Sequence, residues 1–226
     1  MKAMILAAGR GKRMGSLTQN IPKPLTKISD FTIIEHNILK LKEAGITNLV
    51  INISWLGNKI RQYLDNGSNL GVSITYLDES ENMLGTGGGI LNALPHLGDR
   101  PFWLVNADVY SDFKINPSTK LRKGDLGHLI LVPNPPHNSS GDFSLKDSRI
   151  IYPDNGRTLT FSGMSLISPK LFSFCNERIF PLEPLLENFA KEDRLSGEIN
   201  KDFWMDVGTQ ERLGDLKREL TNRINR

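Results

Sequence analysis

Short apolar runs alternate with segments in which apolar residues recur every three or four positions, and these two periods predict strands and helices in turn along the first half of the chain. Residues 2–8 are apolar at nearly every position, as in a strand buried on both faces, and they run into Gly9. Ile33, Ile34, Ile38, Leu41 and Ala44 share one helical face that stops at Gly45, a residue suited to a C-terminal cap. The β-branched run 48–53 predicts a second strand, 56–64 a helix and 72–77 a strand. A helix is predicted at 89–94, closing before Pro95, and a strand at 101–106 that leads to Asp108. Beyond about residue 110 the alternation weakens. Residues 128–132, 143–145, 149–152 and 158–167 predict shorter strands of mixed direction, broken by Pro133, Pro135, Pro136 and Pro153. A helix at 182–190, a strand at 202–207 and a terminal helix at 210–220 follow. The pattern predicts a single α/β domain over 1–226, Rossmann-like, with a mostly parallel mixed sheet flanked by helices.

Composition narrows this further. With 226 residues, 38% of them hydrophobic, the chain supports one core without disulfides or a structural metal. Cys175 stands alone, which excludes a disulfide framework and a thiolate zinc cage. His36, His96, His128 and His137 are not spaced as metal pairs and read as ordinary surface or core histidines. Lys plus Arg 28 against Asp plus Glu 25 gives +3, too small a surplus to mark a nucleic-acid binder. Positive residues do gather at Arg10, Lys12, Arg13, Lys23 and Lys27, and again at Arg212, Lys217, Arg218, Arg223 and Arg226, the second set reading as a solvated helix face. No stretch approaches the ~18 to 20 apolar residues that span a bilayer. The opening apolar run is too short for a secretory signal. A cytoplasmic protein without nucleic-acid or membrane partners is expected, with a monomer favoured.

Four features carry chemistry. In Leu6-Ala7-Ala8-Gly9-Arg10-Gly11-Lys12-Arg13-Met14 a buried strand enters a glycine loop, which offers bare backbone amides to a phosphate or base. It is not a P-loop, because Arg13 stands where Ser or Thr is needed after Gly11-Lys12, and Met14 replaces the last small residue of the dinucleotide fingerprint. Pro22-Lys23-Pro24 fixes the backbone on either side of one lysine, and with Arg13 it sets two cations near an anion loop, as phosphoryl transfer requires. Gly85-Thr86-Gly87-Gly88-Gly89 opens a helix, where amides and dipole favour a phosphate or the acceptor edge of a base. Asp108 and Asp206 each follow an apolar strand-like run and could project over the same sheet edge, a pair that suits Mg²⁺ among phosphate oxygens.

In this order the motifs at 6–14, 22–24, 85–89, Asn106-Ala107-Asp108 and Asp206-Val207-Gly208-Thr209 resemble those of the sugar-1-phosphate nucleotidyltransferases, over nearly the whole chain. The resemblance implies a nucleotidyltransferase fold, a nucleotide-binding half at 1–110 and a sugar-binding half at 111–226. It implies a nucleoside triphosphate held by Ala8, Gly9, Gly11, Lys12, Arg13, Lys23, Glu79 and Gly87, and a sugar 1-phosphate held by Asn106, Gly141 and Gly163. Arg13 and Lys23 would be the catalytic cations, and Asp108 with Asp206 would bind Mg²⁺. Two departures stand out. Gly15-Ser16 replaces the Arg-Pro that usually follows the loop methionine. Pro153-Asp154-Asn155 occupies the place of the Glu-Lys-Pro segment common in hexose enzymes, which argues for a sugar larger than glucose or mannose, while UTP as the nucleotide is what the resemblance implies. The competing readings are a hexose-1-phosphate enzyme such as a mannose-1-phosphate guanylyltransferase, and a non-catalytic nucleotide sensor on the same fold.

Overall fold

A computed structural model describes residues 1–152, 156 and 158–224. Pro153, Asp154, Asn155 and Arg226, which figure in the sequence reading, lie outside the described residues. Among those described, nine strands form one sheet, in the spatial order 73–78, 48–53, 2–6, 102–106, 159–167, 127–133, 195–199, 149–151 and 144–146, and the strand 204–206 pairs with 109–111 in a separate ribbon.

The parallel half comes from the first 106 residues. β1 (Lys2–Leu6) lies between β2 (Asn48–Ile53) and β4 (Phe102–Asn106), with β3 (Ser73–Asp78) at the edge beyond β2. Successive side chains of β1 point to opposite faces, so Ala3 and Ile5 join one core and Met4 the other. After the one-turn helix α1 (Leu17–Asn20), helices α2 (Ile33–Glu43) and α3 (Gly57–Leu64) cover the first face through Ile34, Ile38, Leu41, Ile60 and Leu64. Helices α4 (Gly85–Leu97) and α5 (Glu183–Lys191) cover the second through Ile90, Ala93, Leu97, Leu186 and Phe189. A capping box starts α2: the Glu35 amide donates to the Thr32 hydroxyl at 3.3 Å, and the Thr32 amide donates to the Glu35 carboxylate at 2.7 Å.

The second half turns the sheet mixed. β9 (Leu159–Ile167) runs antiparallel to β4 on one side and to β6 (Gly127–Pro133) on the other. Its register against β6 slips between Ile130, opposite Met164, and Leu131, opposite Phe161. Gly163 sits in that bulge at φ 79°, a conformation that favours glycine. β10 (Leu195–Ile199) is parallel to β6, and the hairpin of β7 (Ser144–Lys146) and β8 (Arg149–Ile151) closes the edge. The ribbon of β5 (Val109–Ser111) and β11 (Trp204–Asp206) leads into α6 (Gln210–Ile224), whose Leu213 and Leu216 pack with Met14, Ile28, Ile33 and Val207.

Three expectations need correction. α4 does not close before Pro95 but runs to Leu97, since a proline in the last turn removes one hydrogen bond only and the Gly98 amide still closes on the Leu94 carbonyl at 2.9 Å. β10 and β5 were not anticipated. The tail cations are not all on a solvated face: Arg223 pairs with Asp112 and Glu219, and Arg212 is mostly buried against Asp206, whereas Arg218 is exposed.

Candidate active site

All four parallel strands end at one place, and the residues that follow them form a cavity of about 420 Å³. After β1 come Ala7, Ala8, Gly9 and Gly11; β2 supplies Asn52, the end of β3 Glu79, and β4 Asn106 and Asp108. Hydrogen bonds lock these ends together. The Ala7 amide donates to Asn52 Oδ1 at 2.9 Å, Asn52 Nδ2 donates to Glu79 Oε1 at 2.8 Å, and the Ala107 amide donates to the Leu6 carbonyl at 3.1 Å. Glu79 is 4% exposed, and burial raises its carboxyl above the usual range, against hydrogen bonds from Asn52 and the Leu84 backbone that lower it. This buried amide–carboxyl pair on the cavity wall has the chemistry to read a base edge.

The loop after β1 is shaped by its glycines. No atom lies within 4 Å of a Cβ built on Gly9, so its backbone faces open space. Gly11 has φ 66°, and a Cβ there would sit 3.1 Å from Lys23 Cβ, so the lysine approaches the loop only because Gly11 is bare. Trp55 braces the loop from outside. Its indole N–H donates to the Thr18 carbonyl at 3.0 Å, Arg10 stacks on its ring at 4.5 Å, and the Thr18 hydroxyl donates to the Gly11 carbonyl at 3.0 Å.

Lys23 opens the short 3-10 turn Lys23–Leu25, preceded by Pro22 in extended conformation. Buried to 8% exposure, it reaches Asp108, with which it forms an ion pair. Lys12 and Arg13 are exposed and line the same cavity.

Asp206 reaches this place from the far end of the chain. In the β5–β11 ribbon it lies opposite Val109, and the next residue, Val207, donates its amide to the Asp108 carbonyl at 2.8 Å. The backbones of the two acids are therefore neighbours. Their carboxylates have different partners: Asp108 has Lys23, while Asp206 Oδ1 lies 2.8 Å from His137 Nε2 and 3.2 Å from Arg212 Nη1. Asp206 faces a second, larger cavity of about 780 Å³, which meets the first at Arg13. Two carboxylates whose backbones adjoin where the cavities meet supply the hard oxygen donors that suit a divalent ion, which would take its remaining ligands from phosphates and water. Among the described residues no group of three or more His, Cys, Asp and Glu side chains is placed to hold a metal without such help.

The other residues named from sequence fall as follows. Ala8 and Asn106 line the first cavity. Gly163 lies against Asn106, where a Cβ would be 2.7 Å from its Nδ2. Gly141 lines neither cavity; it turns the loop after β6 with φ 64°, and a Cβ would meet Asn134 at 2.6 Å. Gly87 also stands off the cavity wall, because its amide and that of Gly88 donate to the Phe180 carbonyl at 2.9 and 3.2 Å. The glycine run is required by this close approach. A Cβ at 87 would lie 2.3 Å from the Phe180 ring, and one at 88 would lie 2.2 Å from the Arg178 carbonyl. Gly85 and Thr86 do line the cavity, and Gly89 leaves room for Glu79 and Asn52. Sequence reasoning gave no role to Asn52 and Met83 in the first cavity or to His137 and Arg212 beside Asp206, whereas Pro24, Thr86 and Gly208, which also line the first cavity, stand inside motifs it singled out. A buried-strand asparagine at 52, and the position of Gly208 inside a motif already singled out, were the available signals.

A doubly covered, mostly parallel sheet whose strand ends carry a glycine loop, a proline-fixed lysine and paired acids defines a nucleotide-handling α/β enzyme, and the chain belongs to the nucleotidyl transferase family, whose model matches residues 2–139. In particular, it is 43% identical over 224 residues to the N-acetylmuramate alpha-1-phosphate uridylyltransferase of Neisseria meningitidis, covering 96% of this chain and 97% of that one. It is 26% identical to the protein of the same name from Caulobacter vibrioides, over 91% of each. The crystal structure of a Bacillus anthracis protein in complex with sucrose superposes with a TM-score of 0.85 at 21% identity, covering 97% of this chain and 94% of that one, which supports the fold.

Proposed function

We propose that the chain transfers the uridylyl group of UTP to N-acetylmuramate 1-phosphate, forming the UDP-sugar and pyrophosphate, a step that returns a cell-wall sugar to use in the cytoplasm. The observation that carries this reading is the Lys23–Asp108 ion pair beside the open glycine loop, at the common end of four parallel strands. The near full-length likeness to the meningococcal enzyme supports the choice of sugar and nucleotide. Residues 1–110 then hold the nucleotide and 111–226 the sugar.

An oxygen of the sugar phosphate attacks the α-phosphorus of UTP in line. The new O–P bond forms as the bond to the β-phosphate oxygen breaks, and pyrophosphate leaves with that electron pair. The nucleophile is already an anion at neutral pH, so no general base is required. Gly9 and Gly11 cradle the triphosphate, with Ala8 and Lys12 beside it. Lys23, held by Pro22 and Pro24, meets the α-phosphate, and Arg13 offsets charge on the transferring group. Asn52 and Glu79 read the uracil edge across from α4, while Asn106 and Gly163 place the sugar. Asp108 and Asp206 are the residues that would hold Mg²⁺. Bound there, the ion would neutralise charge across the phosphates.

The test is pyrophosphate release from a panel of nucleoside triphosphates and sugar 1-phosphates, with and without Mg²⁺. UTP with N-acetylmuramate 1-phosphate should be the best pair. A best pair of GTP with mannose 1-phosphate would move the chain to the hexose branch, and binding without turnover across the panel would make it a sensor.

A further inference from the structure

The second cavity contains a cation that the reaction above does not use. Arg212 sits in the first turn of α6, where a positive charge opposes the helix dipole, so the helix gives no reason for it. Its side chain is 12% exposed. The guanidinium lies over Gly208 so closely that a Cβ there would be 1.9 Å from Nη2, and only glycine admits this placement. Nη1 lies 3.2 Å from Asp206 Oδ1 without a hydrogen bond between them, and both that oxygen and the buried Nε lack a hydrogen-bond partner. A buried guanidinium N–H lacking an acceptor is costly, and such a group beside a cavity calls for an anionic acceptor from a ligand.

The surrounding charges favour that reading. Arg13 lines the same cavity and continues into the first, so cationic character runs from the phosphate loop to Arg212. Of the acids on this wall, Asp202 and Glu211 are exposed, Asp215 pairs with Arg218, and Asp206 already has His137 as well as Arg212. Trp204 and Pro136 supply apolar wall.

We infer that the second cavity takes the acidic arm of the sugar, with Arg212 as the residue that recognises its carboxylate. This rests on the function proposed above. N-acetylmuramate 1-phosphate carries a lactyl ether with a free carboxylate, and N-acetylglucosamine 1-phosphate is the same molecule without it. A planar fork of donors with one N–H unused matches a carboxylate, which can accept two parallel bonds.

The experiment measures kcat/KM for both sugar phosphates with UTP in the wild type, Arg212→Lys and Arg212→Gln, together with the Mg²⁺ activation curve. Loss of a charged hydrogen bond to substrate predicts that the preference for the muramate over the glucosamine substrate falls about 10- to 100-fold in Arg212→Gln, chiefly through KM. Arg212→Lys keeps a cation beside Asp206 but loses the fork, so the preference should fall while the Mg²⁺ curve stays in place. It also carries the test if the glutamine variant fails to fold. Equal losses on both sugars would show that Arg212 acts only by positioning Asp206, and an unchanged preference would show no contact; either overturns the inference and leaves the proposed function standing. A wild type that does not turn over N-acetylmuramate 1-phosphate overturns both.

Discussion

The amide of Val207 donates to the carbonyl of Asp108 at 2.8 Å, which ties the last strand of the chain to the end of β4. Through this bond Asp206 and Asp108 become neighbours although almost the whole second half of the fold lies between them in sequence. The bond also joins the two cavities, since Asp108 and Gly208 line one and Asp206 the other.

Asp108→Asn and Lys23→Ala should each lower kcat by about 10²- to 10³-fold, the range seen when one preorganised charge-stabilising group is removed. The two side chains form one ion pair, so their effects should not add, and the double variant should lose far less than the product of the two. Steady-state kinetics of the four proteins, with circular dichroism to establish folding, measures this. Additive losses would mean that the residues act separately.

Two neighbouring glycines should separate stability from binding. Gly87→Ala drives a Cβ to 2.3 Å from the Phe180 ring and should lower stability by about 1–3 kcal/mol in a urea titration. Gly89→Ala meets Glu79 Oε1 at 2.7 Å and Asn52 Nδ2 at 2.9 Å, so its main effect should be a higher KM for UTP.

Asn52 serves two buried partners, the Ala7 amide and the Glu79 carboxyl. Asn52→Ala leaves the Ala7 amide unpaired and Glu79 with the Leu84 backbone alone, which should cost about 1–3 kcal/mol if water does not reach the amide. Glu79→Gln keeps the size of the side chain but changes the acceptor pattern, so a competition assay among UTP, CTP and GTP should show weaker discrimination with folding retained. Unaltered discrimination would remove Glu79 from base recognition.

His36 should make the fold acid-sensitive. Burial, with a smaller contribution from Lys40, lowers its pKa from 6.5 to about 4, against opposing effects of Ser111 and Asp112; the ring stacks on Tyr110 at 4.1 Å. In the unfolded chain the imidazole takes a proton near pH 6.5, and in the folded one only near pH 4. Stability therefore falls as the pH drops through this window, by up to about 3 kcal/mol. Urea midpoints at pH 7.0 and 4.5 should differ less in His36→Gln than in the wild type; equal differences would remove His36 as the cause.

The parallel half was readable because β1, β2 and β4 are largely apolar runs buried on both faces, and because Gly45 marks the end of α2; the edge strand β3 showed itself by its β-branched and aromatic residues alone. β10 was hidden by Gly197, which sits in mid-strand because a Cβ would meet the Leu129 carbonyl at 2.8 Å and Ile150 at 2.5 Å. Close packing made the residue necessary and erased the strand signal. The site was legible where local backbone chemistry dictates the residue, as at Gly11 and Pro22-Lys23-Pro24. It was obscure where the reason lies across the fold. Gly87 is bare on account of Phe180, Gly208 on account of Arg212, and His137 shows its contact with Asp206 only once β6 and β11 are in place.

Among the described residues, β9 is the strand that joins the two halves of the sheet, antiparallel to β4 and to β6. Under the proposed function, a seam of this kind should let an exchange of the loop after β6 and the turn into α6 change the sugar accepted while β1 to β4 keep the nucleotide framework, so that two short surface segments would set the choice of sugar.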